Sequence, residues 1–201
     1  SIETVKMNHV RAAHTESLLD SEKVLVVGGY YYDSSSGSTD PLYVSKPEIF
    51  NGTNWEYAGD LGKGFTGHTA TVLKNGKVLI AGGYNKDDGF YAKTHIYDPE
   101  KGQWSNAASM GTARSGHTAT LLNDGKVLVA GGYNSNDGYL ASSEIYDPTS
   151  DNWEKTEQMF GAVAYHASVF LPDTGKALLI GGSNAPGTPV KLVQLYDPVT
   201  R

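Results

Sequence analysis

One pattern occurs four times along the 201 residues, and a period of this length restricts the chain to repeat architectures. A histidine before a small residue opens each copy: His14-Thr15, His68-Thr69, His117-Thr118 and His166-Ala167, at spacings of 54, 49 and 49. An apolar run, a turn and a lysine follow, as in Asn75-Gly76-Lys77 and Asp124-Gly125-Lys126. Apolar residues then lead to a glycine pair: Gly28-Gly29, Gly82-Gly83, Gly131-Gly132 and Gly181-Gly182. After a polar loop come Ile49-Phe50-Asn51-Gly52, Ile96-Tyr97-Asp98-Pro99, Ile145-Tyr146-Asp147-Pro148 and Leu195-Tyr196-Asp197-Pro198. Trp55, Trp104 and Trp153 close three of the copies.

Each copy predicts four strands. Asn-Gly and Asp-Gly are tight-hairpin chemistry, so the first two strands form a hairpin. Runs such as Val24-Leu25-Val26-Val27 are too short for helices and too apolar for an exposed edge, so the second strand is central and buried. The glycine pair ends it, where φ turns positive or backbones approach closely. The third strand carries Ile-Tyr and stops at Asp-Pro, because proline cannot continue a ladder. The fourth carries the tryptophan. A four-stranded antiparallel sheet copied around an axis is a propeller blade.

The set His-Thr, Gly-Gly, Tyr-Asp-Pro and Trp resembles the kelch repeat over nearly the whole chain. The fold class expected is therefore all-β, a β-propeller of four kelch-type blades of four antiparallel strands. The organisation expected is a single domain, 1–201, with repeats at about 7–58, 61–107, 110–157 and 159–201 plus 1–6. Residues 1–6 match a fourth strand in phase. Ile2 to Lys6 are thus expected to complete the last blade and close the ring, which removes sheet edges. A piece of a longer propeller, and two chains sharing one ring, are the alternatives. Among oligomeric states the monomer is favoured over such a ring-sharing dimer.

Composition narrows the chemistry. The net charge is −6, and only three of 16 basic residues are arginine, which argues against a nucleic-acid partner. No cysteine is present, so disulfides, thiolate metal sites and cysteine nucleophiles are excluded. No apolar stretch approaches the roughly 18 residues of a membrane-spanning helix, so no membrane insertion is expected. The compartment stays open, although the resemblance to bacterial-type kelch repeats favours a secreted or cell-surface protein. Copper radical oxidases among kelch proteins need a Tyr–Cys crosslink, which this chain cannot form. The four repeat histidines are read as packing elements, placed at a strand start where they can bond the neighbouring blade, in preference to ligands of an axial ion. Asp33, Asp87, Asp88 and Asp137 lie in Asx-turn settings rather than in a catalytic pattern. No cofactor, metal site or catalytic residue is assigned.

The loops after the glycine pairs, roughly 30–45, 84–93, 133–141 and 183–190, gather on one face. Their aromatics and neighbours define the candidate ligand site: Arg11, Tyr30, Tyr84, Arg114, Tyr133, Tyr139 and Asn184. Arg11 and Arg114 precede the first strand and are expected to supply two cationic spots among the rings. In kelch proteins that capture acidic peptides, the matching Arg and Tyr line the pocket, which the resemblance carries to these positions. Phe65 and Val163 replace Arg in the other two repeats. The function expected is a binding module that presents loops around a central mouth to a protein segment or glycan. The alternatives are a small propeller enzyme acting on a sugar or similar metabolite, and a structural segment of a larger surface protein.

Overall fold

The computed structural model describes residues 4–20, 22–35 and 37–200. They form strands and turns without a helix, arranged as a β-propeller of four antiparallel blades. No helix among them is long and apolar enough to cross a membrane. Blade 1 comprises Thr15–Leu18, Val24–Val27, Glu48–Phe50 and Trp55–Tyr57. Blade 2 comprises Thr69–Val72, Val78–Ala81, Thr94–Asp98 and Gln103–Ala107. Blade 3 comprises Thr118–Leu121, Val127–Ala130, Ser143–Asp147 and Asn152–Lys155. Blade 4 has Ala167–Leu171, Lys176–Ile180 and Val193–Tyr196.

The second strands of blades 2 and 3, Val78–Ala81 and Val127–Ala130, are apolar and buried throughout because both of their faces meet another blade. Val78 and Ile80 pack toward Leu25 and Val27 of blade 1. Leu79 and Ala81 point the other way, toward Val127 and Val129 of blade 3. Leu128 and Ala130 then meet Ala177 and Leu179 of blade 4. This is strand alternation with both sides dry. No fourth cluster of this kind joins blade 4 to blade 1 among the described residues.

Polar groups bind consecutive blades at fixed heights. His68 Nε2 is hydrogen-bonded to Thr15 Oγ1 at 2.8 Å, His117 Nε2 to Thr69 Oγ1 at 3.1 Å and His166 Nε2 to Thr118 Oγ1 at 2.9 Å. Trp104 donates Nε1–H to the Ala58 carbonyl (2.5 Å), and Trp153 to that of Ala108 (2.7 Å). The turn lysines pair with the aspartates of Tyr-Asp-Pro in the same blade: Lys77 with Asp98, Lys126 with Asp147 and Lys176 with Asp197, at 3.0 to 3.2 Å.

The polar loops after the glycine pairs are themselves short hairpins. Tyr30–Tyr31 pairs with Leu42–Tyr43, Tyr84–Asn85 with Gly89–Phe90, Tyr133–Asn134 with Gly138–Tyr139, and Ser183–Ala185 with Thr188–Pro189. Part of the expected closing strand, Ile2 and Glu3, lies outside the described residues. Thr4 to Lys6 are in no strand, and the sheet of blade 4 has three strands. The next residues attach to blade 1: the backbone N–H groups of Asn8 and His9 donate to the Glu48 carboxylate at 2.6 and 2.9 Å.

Candidate functional site

A cavity of about 620 Å³ opens at the centre of one face. Its wall contains Tyr30, Tyr84 and Tyr133, each the first residue after a glycine pair, together with Phe90 and Tyr165. Its floor contains His14, His68 and His117, with Gly67 and Gly116 beside them. The glycine pair puts the tyrosines there. Gly82 and Gly83 have φ of 67° and 114°, and the chain turns sharply from the second strand into the hairpin. A Cβ on Gly82 would also lie 2.5 Å from the Arg114 carbonyl oxygen and 2.7 Å from His117 Cε1, so the next blade demands glycine as well.

The hairpin rings join into one arc. Tyr32, Tyr30, Tyr43, Tyr84, Phe90, Tyr133 and Tyr139 follow one another with centroids 4.8 to 6.4 Å apart. Tyr43 and Phe90, on the returning strands, each touch the tyrosine of the next blade. Edge and tilted contacts of this kind are favourable for aromatic quadrupoles. The arc stops at blade 4, whose hairpin begins with Ser183.

Arg11 and Arg114 do not open into this mouth. Both guanidinium side chains are 0% exposed and form ion pairs, Arg11 with Glu48 at 2.5 Å and Arg114 with Glu144 at 2.8 Å. Arg114 also donates to the carbonyls of Gly131 (2.6 Å) and Ser142 (3.0 Å), and Glu144 accepts the amides of Gly111 and Thr112. Burial works to raise the Glu48 pKa, but the Asn8 and His9 amides and Arg11 outweigh it and hold the carboxyl below its ordinary value. The expectation of two cationic spots is corrected on this ground: a buried charge needs a partner, and each arginine has one inside its own blade. The signal was present in sequence. Arginine occurs in the two repeats with glutamate before the third-strand isoleucine, Glu48 and Glu144, where the others have His95 and Gln194.

Of the other candidates, Tyr139 packs on Tyr133 and borders a separate cavity of about 310 Å³ with Thr112 and Gln158. Asn184 is exposed on the blade 4 hairpin and is absent from the wall of the central cavity. Sequence reasoning overlooked Tyr165. The residue before each repeat histidine is Ala13, Gly67, Gly116 or Tyr165, so the fourth copy departs from small residues there.

Burial keeps three of the repeat histidines, His68, His117 and His166, uncharged at neutral pH. It drives His68 down to about 3 and His166 to about 4, and holds His117 well below its ordinary value. Their Nε2 atoms are engaged by threonine, and no cluster of three or more His, Asp or Glu among the described residues converges on a metal-binding geometry. The loop acids serve the turns: Ser35 and Asp87 amides donate to Asp33 and Asn85, Asp88 pairs with Lys63, and Asp137 accepts from Asn134.

The family model described as the KLHDC2/KLHL20/DRC7 Kelch-repeats domain matches residues 13–201. No curated protein matches the chain in sequence.

Proposed function

We propose, from the premise that the chain belongs to the kelch-repeat family, that it holds a segment of a partner protein in its aromatic mouth. Kelch propellers are in general protein-interaction modules, and this part of the reading comes with the family. The mouth as the contact surface is supported by one observation: four rings of a continuous arc of seven, Tyr30, Tyr84, Phe90 and Tyr133, line the central cavity. Aromatic side chains present a large apolar area with few rotatable bonds, which is why they dominate binding hot spots. The opposite face offers tight turns such as Asp124-Gly125-Lys126.

The test is a peptide and glycan array followed by titration of the hits. Tyr84→Ala and Tyr133→Ala should each weaken a peptide hit by about 2 kcal/mol, with Lys126→Ala neutral. Hits confined to glycans would overturn the protein-segment reading. Binding lost in Lys126→Ala and kept in the tyrosine variants would move the site to the other face.

A further inference from the structure

The mouth carries aromatic rings on the hairpins of three blades, and from blade 4 a single ring enters it, that of Tyr165. Its backbone is left-handed, with φ of 57°. The same step in the other blades is Ala13 at 53°, Gly67 at 66° and Gly116 at 66°. A bulky L-residue is strained there. Burial does not offset the strain, because Tyr165 is 70% exposed. The ring lies over Gly116, where an added Cβ would come within 2.7 Å of its Cε1. The Tyr165 amide donates to the Gly116 carbonyl at 2.7 Å, which holds the conformation in place. A strained, exposed aromatic residue at the wall of a cavity belongs to the pattern of contact residues.

The chemistry of the wall selects the ligand. None of its 14 residues is Asp, Glu, Lys or Arg. A charged segment would lose its hydration there and find no partner. A sugar would need many planar donors and acceptors, and the wall has hydroxyl groups such as those of Thr66 and Ser115 but no carboxylate or carboxamide. A proline-rich segment fits both facts. It lacks N–H groups that would go unsatisfied, it is already extended, and its rings pack on aromatic faces. We infer that the mouth takes an uncharged, proline-rich extended segment of a partner protein, and that Tyr165 is the ring that closes on it from blade 4; this rests on the interaction reading above.

The probe is a capped proline decamer, titrated against the wild type, Tyr165→Gly, Glu22→Gly and the pair Tyr84→Ala/Tyr133→Ala, with thermal melts in parallel. The decamer should bind. Tyr165→Gly should melt about 2–4 °C higher, since glycine relieves the strain, and should bind the decamer about fivefold more weakly or worse. Glu22→Gly, at a left-handed turn position (φ 58°) outside the cavity wall, should also raise the melting temperature and leave the affinity unchanged, separating strain from contact. No binding of the decamer overturns the ligand class, and array peptides that still depend on Tyr84 and Tyr133 would then leave the interaction reading standing. Decamer binding indifferent to Tyr84→Ala/Tyr133→Ala overturns both. A lower melting temperature for Tyr165→Gly, or an unchanged affinity, removes Tyr165 from the contact.

Discussion

Arg114 is fully buried in blade 3, and Val163 occupies the same place in blade 4. The partners change in step. Glu144 accepts from Arg114 and the Gly111 amide, whereas Gln194 accepts the Gly161 amide and donates back to the Gly161 carbonyl, both at 3.3 Å. The fold therefore contains two solutions to one problem, how to hold the incoming segment against the third strand. Glu144→Gln alone leaves the Arg114 cation buried without its counter-charge and should cost about 3–5 kcal/mol in urea unfolding. Adding Arg114→Val recreates the blade 4 pair and should recover most of that loss. A double variant as unstable as the single one would show that the two arrangements are not interchangeable. The same residues mark a boundary of legibility. Arginine near a loop reads as a surface cation, and its true partner lies 30 residues away on another strand, beyond any local pattern.

At the scale of the element, the glycine pairs and first-hairpin turns were legible because their causes are local: φ is positive, and the turn residues are adjacent in sequence. The hairpins of the mouth were less so. Tyr84-Asn85 and Gly89-Phe90 are strands of two residues each, too short for alternation to declare itself. What organises them is cross-strand pairing, with Phe90 opposite Tyr84 and Tyr139 opposite Tyr133. The glycines at their tips differ from those of the pairs in kind. Gly138 has φ of 73° and nothing within 4 Å of a would-be Cβ. Gly131 has φ of 64°, and there a Cβ would run into the Val163 carbonyl oxygen and come within 2.9 Å of His166 Cε1. Gly138→Ala should thus cost about 1 kcal/mol, the backbone term alone. Gly131→Ala should exceed it by about 2 kcal/mol or more, because blade 4 must move away. Equal losses in chemical denaturation would mean that the close approach carries no energy.

For the molecule as a whole, cohesion runs from blade to blade through the histidine–threonine contacts and the apolar clusters they flank. Blade 4 is the least covered, with Phe160 96%, Val193 59% and Leu195 53% exposed. The repeated histidine was expected to bond the neighbouring blade, and three such contacts are present. Their depth gives the propeller an acid limit. An unfolded histidine titrates near 6.5. In the folded chain burial lowers His68 to about 3 and His166 to about 4, with His117 also well below its ordinary value. Between pH 6.5 and about 4 the unfolded state therefore binds protons that the folded state refuses, so stability falls as pH falls, by about 1.4 kcal/mol per unit for each residue. The Glu48 carboxyl, held below its ordinary value by the Asn8 and His9 amides and Arg11 against the effect of burial, contributes in the same direction but in a lower window. Urea unfolding of the wild type and of His117→Gln between pH 7.5 and 4.5 separates the two. His117→Gln should be less stable at pH 7.5, since it loses the hydrogen bond to Thr69, yet its dependence on pH should be shallower by about one proton. Parallel slopes would show that His117 takes up its proton in the folded state, and that this contact opens before the propeller does.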